Sequence, residues 1–91
     1  MNLAEVLALW TNDGFTVVQM RTEERTGYRW YLYHATAPYE CEEYGRHLAF
    51  LAVENKKTKD IIHHDFLNLT GDTNYSKESD IWFDRHVREG L

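Results

Sequence analysis

The sequence predicts an α+β fold: a two-layer domain in which a four-stranded, mainly antiparallel sheet carries the N-terminal and C-terminal helices on one face, in the order α-β-β-β-β-α. Three features carry this expectation. Apolar residues recur at helical spacing near both ends of the chain, β-branched and aromatic runs fill the middle, and polar stretches containing Gly or Asn separate them. Ninety-one residues make a single domain, 1–91. Of these, 43% are apolar and 14% aromatic, and each buried ring removes about 150–250 Å² from water, so a core can close without a disulfide or a metal.

The first helix is expected at 3–12. Leu3, Val6, Leu7 and Trp10 fall at i, i+3, i+4 and i+7, one apolar stripe. Asn2 and Glu5 sit at the two positions of a capping box, and Gly14 offers the left-handed conformation that ends a helix. From Phe15 to Met20 the residues are those strands prefer. Glu23 to Gly27 is a polar turn region, and Tyr28 to Ala35 is a second strand, completing a hairpin. That second strand is aromatic on both faces, with Trp30 on one and Tyr31 and Tyr33 on the other, so it is expected to be central or partly covered.

Residues 37–54 admit two readings. Pro38 with Glu40, Glu42 and Glu43 resembles a helix start, and Tyr44, Leu48 and Leu51 keep helical spacing. Gly45 would then sit inside the helix, at a cost of about 1 kcal/mol. The preferred reading is a loop through Gly45 and a strand from His47 to Glu54, turning at 55–59 into a strand over 60–66. Residues 67–75 read as loop. A closing helix follows, capped by Ser76 or Ser79, with Trp82–His86 and Phe83–Val87 at i, i+4 and Gly90 after its end.

Composition narrows the function classes. Cys41 is the only cysteine, which excludes an intrachain disulfide and favours a reducing, cytoplasmic setting. The opening Met1-Asn2-Leu3-Ala4-Glu5 lacks the basic and apolar regions of a signal peptide, and no apolar run approaches the roughly 20 residues that span a bilayer. No membrane association is expected, and the Asn68-Leu69-Thr70 sequon reads as chance. A net charge of −5 lowers the expectation of direct nucleic-acid binding.

Several constellations could carry chemistry. His63, His64 and Asp65 are metal-ligand and acid–base types, and His64 could meet His34 or His47 from a neighbouring strand. Adjacent strand residues point to opposite faces, however, and neither His-Glu-x-x-His nor Cys-x-x-Cys is present. Glu54-Asn55-Lys56 has the Glu-x-Lys spacing of metal-dependent nucleases, without an Asp on a preceding strand. Acidic neighbours disfavour a Cys41 thiolate. Arg21, Arg25 and Arg29 alternate with tyrosines as a single-strand-binding face would, but Glu23 and Glu24 cancel much of that charge.

The segment from Tyr39 to Tyr44 is the first candidate. Tyr39 and Tyr44 offer rigid contact area, and Glu40, Glu42 and Glu43 offer charge to a basic or nucleic-acid-binding protein surface. The leading expectation is a small acidic, non-enzymatic binding protein without a cofactor, acting through macromolecular association; an inhibitor or immunity-type protein of a phage or mobile element is one version. The alternatives are a small metal-dependent enzyme using His63, His64, Asp65 or Glu54, and a homodimerising structural domain that buries exposed sheet aromatics against a copy of itself.

Overall fold

The computed structural model describes residues 1–41, 45–69 and 74–90. Its elements are α1 (Leu3–Thr11), β1 (Thr16–Arg25), β2 (Tyr28–Cys41), β3 (Gly45–Asn55), β4 (Ile61–Leu69) and α2 (Tyr75–Glu89). The strands form one sheet in the order β1-β2-β3-β4, and every neighbouring pair is antiparallel. The expected order and sheet are therefore those observed. Residues 45–55 form a strand, not a helix, because their apolar run is buried on both sides.

Local chemistry explains each boundary. The Asn2 side chain accepts from the Glu5 backbone N–H at 2.9 Å, and the Glu5 carboxylate accepts from the Asn2 N–H at 3.0 Å. This is the expected capping box. Gly14 has φ +91°, and a Cβ there would stand 3.1 Å from Pro38 Cγ, so glycine is needed both for conformation and for space. At the β3–β4 turn, Asn55 Oδ1 accepts from the N–H groups of Lys57 and Thr58 at 2.9 and 3.1 Å.

The closing helix starts earlier than expected. Asn74 caps it, accepting from Lys77 N–H at 3.1 Å, while Ser79 lies inside and donates its hydroxyl proton to the Tyr75 carbonyl at 2.7 Å. Asn caps as well as Ser does, and the earlier start brings Tyr75 over the sheet. Likewise β4 runs past Phe66, because Leu69 is buried beneath the same helix.

The helices are placed differently from the expectation that both share one face. Trp30, Leu32, Leu51 and Val53 pack with Phe83 and Val87 of α2, whereas Tyr31, Tyr33, Phe50 and Ala52 pack with Val6 of α1. These sets alternate along β2 and β3, and alternate residues point to opposite faces. Each helix therefore takes its own face of the sheet. The consequence is visible in β3, where every residue from Leu48 to Val53 is at most 1% exposed. A sheet half open to water would alternate buried with exposed positions.

Candidate functional site

Register decides which of the sequence candidates meet. His34 of β2 and His47 of β3 are on the α2 face, with His34 Nε2 3.2 Å from His47 Nδ1 and the rings stacked 5.2 Å apart. Tyr75, the first residue of α2, lies 4.9 Å from the His47 ring. Burial, and then the charge His47 can carry, push the His34 imidazole below its ordinary pKa. Sequence spacing did not bring these two histidines together, because their meeting depends on the pairing of Thr36 with His47.

The other candidates are dispersed. His63 and His64 point to opposite faces; His64 lies 6.2 Å from the Phe50 ring on the α1 face, and Asp65 faces His86 of α2 at 3.9 Å. Glu54 is 7% exposed and accepts a hydrogen bond from the Tyr31 hydroxyl at 3.2 Å, while Lys56 pairs with Glu24 at 2.6 Å. The Glu54-Asn55-Lys56 motif is thus divided between two separate contacts. Among the described residues, no three His, Cys, Asp or Glu side chains converge as metal ligands would.

The arginines form no basic face. Arg21 reaches Asp80 and Asp84 of α2 at 3.3 and 3.0 Å with its guanidinium over the Phe83 ring, Arg25 pairs with Glu23 at 2.7 Å, and Arg29 pairs with Glu24. Arg29 also lies on the opposite side of the sheet from Arg21. Glu24, holding Lys56 and Arg29, is kept below the usual carboxylate range. Each of these three guanidinium groups meets a carboxylate, which weakens the electrostatic footprint they would offer a phosphate backbone.

Tyr39 of the acidic segment is 69% exposed, near the end of β2. Glu42, Glu43 and Tyr44, and the side chains of Glu40 and Cys41, lie outside the described residues.

Sequence reasoning missed an apolar groove between α1 and β4. Its volume is about 280 Å³, and Val6, Leu9, Trp10, Phe15, His64 and Phe66 line it together with Asp13. Trp10 organises the site, meeting Phe15, Phe50 and Phe66 edge-on at 5.1, 5.4 and 5.9 Å. Leu9 is 53% exposed and Phe66 40% exposed on its rim. One sequence signal was available: Leu9 is a large apolar residue outside the stripe of Leu3, Val6, Leu7 and Trp10. A larger depression of about 410 Å³ between β1 and α2 is walled partly by Glu23, Arg25 and Asp84, which are already ion-paired.

No family model, no curated protein and no solved structure matches the chain. No helix among the described residues is long and apolar enough to cross a membrane.

Proposed function

We propose that this chain is a non-enzymatic binding protein, acting by association with another protein, and that the groove between α1 and β4 is its contact surface. The observation that carries this reading is the rim of Leu9 and Phe66 around a floor of packed rings. Large apolar side chains exposed together on a small acidic domain are what interaction sites present, whereas scattered ones need no explanation. Rings locked edge-to-face by Trp10 offer contact area that loses little entropy on binding.

Pro38 packs against Gly14, next to Phe15 of the groove, so exposed Tyr39 begins the acidic stretch close to the groove's end. Inhibition of a macromolecular enzyme is one form such association takes. The sheet-aromatic route to a homodimer is less favoured, because Trp30, Tyr31 and Tyr33 are covered within the fold.

The test compares affinity capture by the native chain with capture by a Leu9→Lys/Phe66→Lys variant, after circular dichroism has shown both folded. A partner held by the native chain and lost by the variant fits the proposal. Equal recovery by both would remove the groove from the function.

A further inference from the structure

Resting on the groove reading, we infer that the partner segment places an apolar side chain beside a Lys or Arg, so that the apolar group fills the groove while the cation meets Asp13. Two independent observations favour a cation at this position. Asp13 is exposed on the groove wall and forms no salt bridge among the described residues. It also stands just past Asn12, the C-cap of α1, whose last turn carries no basic residue. A helix C-terminus bears partial negative charge, so an acid placed there adds to that charge instead of offsetting it. One end of a groove whose other lining is apolar apart from His64 is thereby left negative, and no Lys or Arg lines it.

The same charge argues against a second copy of this chain as occupant. A twofold contact through the groove would bring two copies of Asp13 and two α1 C-termini toward one another, and like charges in a desolvated contact oppose it. An acidic ligand meets the same repulsion. A basic, apolar segment gains on both counts, and the chain's overall charge of −5 steers it inward.

Titrations of the full ¹⁵N-labelled chain, followed by NMR, test this with three peptides: acetyl-Gly-Leu-Phe-Arg-Gly-amide, the same peptide with Glu replacing Arg, and the same with Ala-Ala replacing Leu-Phe. The expected result is that the first shifts the Leu9, Trp10 and Phe66 signals at about 1 mM peptide and binds about three- to fivefold tighter than the Glu form. Asp13→Asn should weaken that preference and leave the apolar binding in place. Equal binding of the Arg and Glu peptides at these signals would overturn the charge inference and leave the groove reading standing. Absence of shifts at Leu9, Trp10 and Phe66 with any peptide would overturn the groove reading itself. Equal shifts from the Ala-Ala peptide would show a cation contact without a groove. A concentration-dependent dimer with Leu9 and Phe66 in its interface would put a second copy in the partner's place.

Discussion

His34 Nε2 and His47 Nδ1 stand 3.2 Å apart across the β2–β3 pair, close enough that one nitrogen must donate and the other accept. That contact needs at least one neutral ring. Tyr75 of α2 covers His47, and Leu69 of β4 pairs with it. The positive end of the α2 dipole also lies nearby.

A dependence of stability on pH follows. Burial and the neighbouring ring lower the His34 pKa below that of a free imidazole, so the folded state binds fewer protons than the unfolded chain. The resulting stabilisation is present above the unfolded pKa and is lost as pH falls through the folded one. Urea midpoints should therefore drop between about pH 7 and about pH 5, and His34→Gln should flatten the His34 share of that slope. An identical slope in the variant would show that the pair does not govern it.

Phe83 should be the most costly single truncation on the α2 face. It is fully buried, meets Trp30 edge-on at 6.5 Å and lies beneath the Arg21 guanidinium. Phe83→Ala should lose about 3–5 kcal/mol, enough to unfold much of a domain this size. Ile81→Ala, on the exposed side of the same helix, should change stability by less than about 0.5 kcal/mol. Chemical denaturation of both variants gives the comparison.

Gly14→Ala should destabilise by at least about 1–2 kcal/mol, because φ +91° disfavours any side chain and Pro38 crowds the new Cβ. Thermal melts of Gly14→Ala and Gly27→Ala separate the two causes. Gly27 has φ +84° and nothing within 4 Å, so its substitution carries the conformational cost alone.

Glu54 should behave as a structural acceptor. Glu54→Ala leaves the Tyr31 hydroxyl without its partner in a buried setting and should cost about 1–3 kcal/mol. Added Zn²⁺ or Mn²⁺ should leave the melting temperature of the native chain unchanged. A metal-dependent rise that Glu54→Ala abolishes would support the alternative metal-dependent reading.

Reversing Glu40, Glu42 and Glu43 to Lys tests the acidic segment separately from the groove. If that segment contacts a basic partner, capture should fall while the melting temperature holds. Undiminished capture by a folded variant would leave the groove as the sole contact surface.

The elements themselves could be read from the sequence. The capping box at Asn2 and Glu5, the stripe of Leu3, Val6, Leu7 and Trp10, and the unbroken apolar run of β3 are local patterns, set within one element by its own repeat. Rings on both faces of β2 already indicated a strand that is central or partly covered. What they could not indicate was which helix takes which face, since either apolar stripe could pack on either side. Only the assembled fold sends Val6 to Tyr31 and Tyr33, and Phe83 to Trp30. The same holds for the sites. His34 meets His47, and Trp10 meets Phe66, through strand register and helix placement, which fix neighbours many residues apart and leave no periodic trace in the chain.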